Sequence, residues 1–290
     1  ARSVIFLHIP KTAGSTLNKI IDHQYKRTAT FTRHPYFPQE LNDEFKKLSE
    51  VQRGRIRAVK GHMFFGLHEY LSQPSTYITL LRDPVERTIS HYYMILENPK
   101  DIFHKDVTSS HMSLKDFVCS DLSDRIVTLR NGQTRLLAGI ETDAAVNYEK
   151  RSSDILELAK INLKEYFIVA GLQERFDETL MLLRRVFKWR NAFYIRMGGD
   201  KPRPKKKDIP RETLNIIEKY NELDIELYQY AKERFEKLIR QQGPSFDEEL
   251  NKFRALNKVY SKVYGNIYGF FRPITTGFRR FYRTKRSQER

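Results

Sequence analysis

A single cysteine, Cys119, stands among 290 residues. No internal disulfide can form, which excludes a disulfide-stapled scaffold and points to a reducing compartment. No stretch approaches the ~20 consecutive apolar residues that a membrane-spanning helix needs. The chain opens without an apolar leader pattern. With the single cysteine, this sets the expectation of a cytoplasmic protein. No internal repeat of fixed period is present. No His/Cys or carboxylate group has metal-ligand spacing, so no metal is expected. A glycine-rich run ending in Gly-Lys-Ser/Thr is also missing, which argues against a Mg²⁺-dependent P-loop kinase or NTPase.

Hydrophobic residues make up 40% of the chain and aromatics 12%, enough for a packed core. The length suits one large domain, or one domain with an extension. The net charge of +16 is unevenly spread. Residues 251–290 hold eleven Lys/Arg against one acid and so carry +10 of it. Such a surplus attracts polyanions: nucleotides, acidic polysaccharides, anionic lipid or nucleic acid. The composition divides the chain into residues 1–242, a globular domain, and residues 243–290, a basic aromatic C-terminal extension. In the extension Tyr260, Tyr264 and Tyr268 recur every fourth residue, and phenylalanines alternate with cations. It suits an anionic membrane surface, a partner subunit, a cover for a cleft, or a helix packed on the core with a frayed basic end.

Short apolar runs read as buried strands: Val4–Leu7, Ile56–Val59, Tyr77–Leu81, Phe167–Ala170 halted by Gly171, and a fifth at Phe193–Ile195. Helical spacing follows the first near Leu17, the third from about Val85, and fills 175–188 and 212–240, where Asp224 is placed to cap a second helix. Strands separated by helices predict an α/β fold with a central, mainly parallel sheet flanked by helices.

Two strand-to-helix corners carry the chemistry. In open α/β sheets, ligands bind beyond the carboxyl ends of the strands, where helix N-termini present free N–H groups to anions. The first corner is His8-Ile9-Pro10-Lys11-Thr12-Ala13-Gly14-Ser15-Thr16. Its small residues allow close backbone approach to a phosphate, its hydroxyls can donate, and Lys11 adds a point charge. Alone it reads equally as an N-capped helix with a surface lysine. The second corner is Arg82-Asp83-Pro84, followed by Ser90-His91-Tyr92-Tyr93. Arg82 and Ser90 make a monophosphate clamp if the corner bends back; the plainer reading is an Arg–Asp turn and a helical serine.

In order, HIPKTAGST, Gly61-His62 before an aromatic patch, LLRDPVERTISHYY, Asn131–Leu137 and Tyr166–Glu174 resemble the sulfotransferases that use 3′-phosphoadenosine-5′-phosphosulfate (PAPS), nearest to the heparan sulfate 2-O-sulfotransferase branch and its bacterial relatives. The likeness runs from about residue 4 to 240. It implies a nucleotide-binding, P-loop-like fold and metal-free in-line transfer of a sulfuryl group to a hydroxyl of a carbohydrate-like acceptor, polysaccharide or glycolipid. Adenosine 3′,5′-bisphosphate is then the product. It places Lys11 on the bridging oxygen and Thr12, Ala13, Gly14, Ser15 and Thr16 on the 5′-phosphate. Arg82 and Ser90 fall on the 3′-phosphate, and Lys201 and Arg203 in a late loop that closes over the nucleotide. His62 becomes the general base; His68, in a Gly-Leu-His context, competes with it or lines the acceptor site with Asn131, Gln133 and Arg135. Nucleic acid is not an expected partner under this reading. The rival is a non-catalytic polyanion or nucleic-acid-binding protein using the basic aromatic tail.

Overall fold

The computed structural model describes residues 2–140, 152–197 and 203–264. Lys201 and the tail aromatics from Tyr268 onward lie outside them. Five strands form one parallel sheet: β1 (Ser3–Leu7), β2 (Thr30–Arg33), β3 (Ala58–Gly61), β4 (Ser75–Leu81) and β5 (Phe167–Leu172), in the spatial order β2-β3-β1-β4-β5. The helices in chain order are α1 (Gly14–Gln24), α2 (Pro38–Lys46), α3 (Glu50–Gly54), α4 (Pro84–Glu97), α5 (His104–Ser109), α6 (Leu114–Cys119), α7 (Leu122–Arg125), α8 (Gly132–Ala138), α9 (Ser152–Glu165), α10 (Phe176–Phe187), α11 (Arg211–Lys219) and α12 (Glu222–Arg240). The α/β fold with a mainly parallel sheet is as expected, and every described strand pair is parallel.

β1 and β4 are buried along almost their whole length, as expected for a sheet covered on both faces. The main core gathers Val4–Leu7, Tyr77–Leu81, Phe167 and Val169 with α8, α9 and α10, and a second cluster joins α4 to α6 and α11 through Ile89, Phe117 and Ile217. The sheet order turns at β1. The chain leaves β1 towards β2 on one side and leaves β4 towards β5 on the other. Such a switch point opens a crevice at the carboxyl ends of the strands. Both expected corners fall there, joined by a bond from Thr79 Oγ1 to the Leu7 carbonyl (2.8 Å).

Several expectations are corrected. The edge strand β2 is not apolar, so its TFTR sequence gave no signal. β3 lies two residues later than expected. Residues 191–197, including Phe193–Ile195, form no strand. β5 runs through Gly171 instead of stopping there; the glycine serves close packing, since a Cβ would lie 2.0 Å from Thr179 Cγ2. Asp224 is fully buried and does not cap its own helix; its carboxylate accepts from the Gln133 and Thr134 N–H groups (3.1 and 2.7 Å) and so caps α8. Beyond Gly243 the chain is helical over 245–264, and Phe246, Leu250 and Phe253 enter the main core. Phe193 stacks on Phe253 and Tyr260. Among the described residues, no helix is long and apolar enough to cross a membrane.

Candidate active site

The loop after β1 is held in an uncommon shape. Lys11 (φ 70°) and Ala13 (φ 65°) both take left-handed backbone, a cost of about 1 kcal/mol or more each for residues with a Cβ. Alternate-residue left-handed turns curl successive N–H groups into an anion-binding concavity. Thr12 is buried and its hydroxyl donates to the Ile9 carbonyl (2.8 Å), so it closes the loop and leaves its N–H for a ligand. Thr16 Oγ1 accepts from the Met197 N–H (3.1 Å). α1 begins at Gly14 with no side-chain cap; the Thr16 and Leu17 N–H groups donate to the Ala13 carbonyl (3.1 and 3.5 Å), and those of Gly14 and Ser15 have no side-chain partner among the described residues.

Gly14 is required by its neighbour. A Cβ there would lie 1.9 Å from His8 Cδ2 and 2.1 Å from Nε2. Gly14→Ala is therefore expected to displace the buried His8 ring and cost about 1–3 kcal/mol, read as a lowered thermal midpoint. Wild-type melting would show instead that the ring moves aside freely.

The second corner is tied to the first. Arg82 follows β4, is 9% exposed, and donates from Nη1 to the Lys11 carbonyl (3.2 Å) and from Nη2 to Glu86 (3.2 Å). Its buried Nε has no hydrogen-bond partner among the described residues, so the guanidinium keeps a spare donor beside the Lys11 loop. The Glu86 carboxylate, one helical turn further on, holds the guanidinium. Asp83 caps α4 through the Glu86 N–H (2.9 Å), with Pro84 at the first helical position. Ser90 lies one turn beyond Glu86 on the same helix stripe, and is buried.

Gln133 forms the support beneath Arg82. Its amide accepts from the Arg82 N–H and donates to the Arg82 carbonyl, both at 3.0 Å, and it is fully buried. Expected on the acceptor side, it holds the backbone of Arg82 through both amide atoms. Asn131 is likewise structural: in left-handed backbone (φ 47°) at the start of α8, it accepts from the Asp224 N–H (3.1 Å). Arg135 is buried and donates to the Val127 carbonyl (3.3 Å).

Three cations converge on the crevice. Lys11 is pushed down to about 8, first by burial and then by Arg203 and Arg82. Arg82 is lowered in the same way, first by burial and then by Arg203. The loop carrying Arg203 is anchored by Lys206 on Asp83 (3.7 Å). Glu86, Glu174 and Asp83 offset part of the charge on Arg82, and the buried cations that remain favour a bound anion.

His62 follows β3, and its Nδ1 bonds the His8 carbonyl (2.8 Å). As the donor in that contact Nδ1 carries the proton, which leaves Nε2 with its lone pair. Burial first, and His34 after it, hold His62 at about 4, although its bond to the His8 carbonyl works the other way. His8 and His91 lie well below the usual histidine range, mainly through burial. Lys11 and His62 both act on buried His91, which places the cation and the imidazole at one end of the sheet.

His68 is elsewhere. Its ring packs on Tyr166 (4.5 Å) and Phe65 (4.9 Å), and its Nδ1 contacts Tyr77 Oη (3.2 Å). Tyr77 pairs with Phe167, the first residue of β5, far along the strand from Leu81 and the crevice.

A cleft of about 750 Å³ opens beside His62, lined by His8, Ser15, Asn18, Lys19, Arg27 and Lys60 among others. Lys60 is 3% exposed, with Nζ held by Asp22 (2.7 Å) and the Asn18 carbonyl (3.1 Å). Sequence reading overlooked Lys60, and it overlooked His34, which brings a third imidazole beside His8 and His62. His34 lies just past the weakly signalled β2, and 26 and 28 residues separate it from the other two, so spacing gave no cue.

Comparison with known proteins bears out the resemblance. The chain is 24% identical to heparan sulfate 2-O-sulfotransferase 1 of Gallus gallus, over 90% of this chain and 78% of that protein. It is 29% identical to heparan-sulfate 6-O-sulfotransferase 1 of Gallus gallus, over 54% of this chain and 42% of that one. With galactosylceramide sulfotransferase of Mus musculus it shares 25% identity, over 81% of this chain and 57% of that protein. The chain thus spans less than half the length of the chicken 6-O relative. The family profile described as sulfotransferase matches residues 1–231, and the chain belongs to the sulfotransferase family.

Proposed function

We propose that this protein transfers the sulfuryl group of PAPS to a hydroxyl of a saccharide-bearing acceptor. The single observation that carries the reading is the bond from Arg82 to the Lys11 carbonyl. It joins two phosphate-type corners at the switch point of a parallel sheet, with a lone-pair imidazole at the same end. The relatives support the acceptor class, since their names specify heparan sulfate and galactosylceramide.

The residues fit the donor. The uncapped α1 N-terminus and the N–H groups of residues 12–15 suit a 5′-phosphosulfate, with the Thr16 side chain beside them, and Arg82 with Ser90 suits a 3′-phosphate. Arg203 covers the same cations from the late loop. As the acceptor oxygen forms its bond to sulfur, His62 Nε2 takes the hydroxyl proton. The bond from sulfur to the bridging oxygen breaks, and Lys11 stabilises the charge left on the departing phosphate, adenosine 3′,5′-bisphosphate being released. No step requires a metal ion. The cleft beside His62, with Lys19 and Arg27 on its wall, admits the acceptor.

Isothermal titration with adenosine 3′,5′-bisphosphate in metal-free buffer tests the donor site. Micromolar binding, about 8 kcal/mol, is expected for the wild type. Arg82→Ala should weaken it by about 1.5–3 kcal/mol, the worth of hydrogen bonds to a charged group. A folded wild type that binds nothing would overturn the reading and favour the polyanion-binding alternative.

A further inference from the structure

We propose that His8, His34 and His62 form a three-histidine site for a transition-metal cation of the zinc type, and that occupancy of this site silences the enzyme. The three residues end or follow three adjacent strands, β1, β2 and β3, so the parallel sheet delivers them to one place although sequence separates them widely. One ring nitrogen from each lies within 4.8 Å of the other two. Ring centroids are 4.5 Å apart for His8–His62, 5.6 Å for His34–His62 and 5.8 Å for His8–His34.

Zinc binds imidazole at about 2.0–2.1 Å, so tetrahedral ligands sit about 3.4 Å from one another. The cluster therefore has to contract by about 1 Å. His34 can supply the movement, being exposed at the end of the edge strand β2. His8 is fixed by burial, and half-buried His62 by its bond to the His8 carbonyl and its packing on the His8 ring.

The surroundings prepare two of the rings as ligands. A metal-binding histidine typically donates its second N–H to a backbone carbonyl or an amide, which sets the tautomer and ring orientation. His62 Nδ1 already meets the His8 carbonyl in this way. His8 Nδ1 meets the Asn18 side-chain amide (3.2 Å), and Asn18 Oδ1 is a buried acceptor with no partner among the described residues. Turning that amide, whose oxygen and nitrogen are interchangeable by a simple flip, lets Oδ1 accept from His8 Nδ1–H and frees Nε2.

The nearby charges set the affinity. Lys60 opposes a cation, and its charge is offset by Asp22 at 2.7 Å; Lys11 opposes it from the nucleotide side. Three imidazoles beside two cations should bind zinc at micromolar affinity, more weakly than a structural zinc site does. The functional consequence rests on the sulfotransfer reading. The Nε2 lone pair that takes the acceptor's proton is the one a metal occupies, and a bound ion also fills the mouth of the acceptor cleft. Turnover is then metal-free, and zinc is an inhibitor relieved by chelation.

Calorimetric titration of the nucleotide-free protein with Zn²⁺, paired with the visible spectrum of its Co²⁺ form, tests the site without any activity. One equivalent at micromolar affinity and the intense band of four-coordinate Co²⁺ are expected. His34→Ala should weaken zinc at least about tenfold while melting like the wild type. His23→Ala and Cys119→Ser, exposed groups outside the cluster, should bind as the wild type does. Millimolar binding, a weak six-coordinate Co²⁺ spectrum, or equal affinity in His34→Ala would overturn the site. Tight zinc binding without inhibition of sulfotransfer would retain the site and remove its regulatory role.

Discussion

Asp224→Ala is expected to destabilise the protein by about 3–5 kcal/mol, the usual result of removing one partner from a buried ion pair, and to weaken nucleotide binding in whatever fraction remains folded. Asp224 and Arg87 are both fully buried, 3.5 Å apart. The carboxylate also accepts from the Gln133 N–H, the Thr134 N–H and the Thr134 hydroxyl. Truncation strands an interior guanidinium and orphans three donors at once. Arg87 keeps the Thr128 and Leu129 carbonyls, but dipoles alone do not neutralise its charge. The effect reaches the site because the α8 N-terminus that Asp224 caps carries Gln133, and Gln133 holds both backbone polar groups of Arg82. Asp224→Asn should fall between the two, since an amide oxygen keeps part of the cap but not the charge. Gln133→Ala separates the contributions: it should melt closer to the wild type yet bind adenosine 3′,5′-bisphosphate about tenfold more weakly. Denaturant midpoints and calorimetry read both. Wild-type stability in Asp224→Asn would show that the cap, not the ion pair, does the holding.

This network also marks where sequence reading stops. The corners were legible because their signals are local: an apolar run, then Pro10 and Gly14, or an apolar run into Arg82-Asp83-Pro84 with a helix after it. Asp224 was legible only as a polar residue near a helix start, and local logic made it that helix's own cap. In fact it serves α8, about ninety residues earlier, and no pattern of period 2 or 3.6 encodes a partner at that distance. The Gln133 contact was out of reach for the same reason: its position in a polar motif suggested a place on the acceptor side, and only tertiary structure shows its amide on the Arg82 backbone. β2 escaped because an edge strand need not be apolar, and with it went His34. The choice between His62 and His68 needed the sheet. Both follow β3, six residues apart in sequence, yet one opens on the crevice and the other packs beside Tyr77 and Tyr166.

That choice leads to a second large effect. His62→Ala should lower kcat for sulfotransfer by about 10²–10⁴, the range for loss of a positioned base, with affinity for adenosine 3′,5′-bisphosphate unchanged. His68→Ala should keep near wild-type turnover. The pH profile of kcat/KM supplies an independent check. His62 titrates at about 4 because burial disfavours its charged form, so it stays a neutral, competent base well below the usual histidine value. Lys11 titrates at about 8, so above that pH it loses the charge that stabilises the leaving phosphate. The expected profile is a plateau between these limits, without a limb near 6.5. Lys11→Arg should lower the plateau and remove the alkaline limb, because arginine does not deprotonate. Acid unfolding has to be separated from the acid limb. A histidine whose folded value lies below its unfolded value contributes stability that is complete above about 6.5 and lost as pH falls towards the folded value. His8, His62 and His91 all have this sign. The thermal midpoint should therefore begin to fall below about pH 6.5, while kcat/KM of the folded fraction stays level. A rate that falls at 6.5 with no change in melting would place the base on an ordinary solvent-exposed histidine and remove His62 from the role.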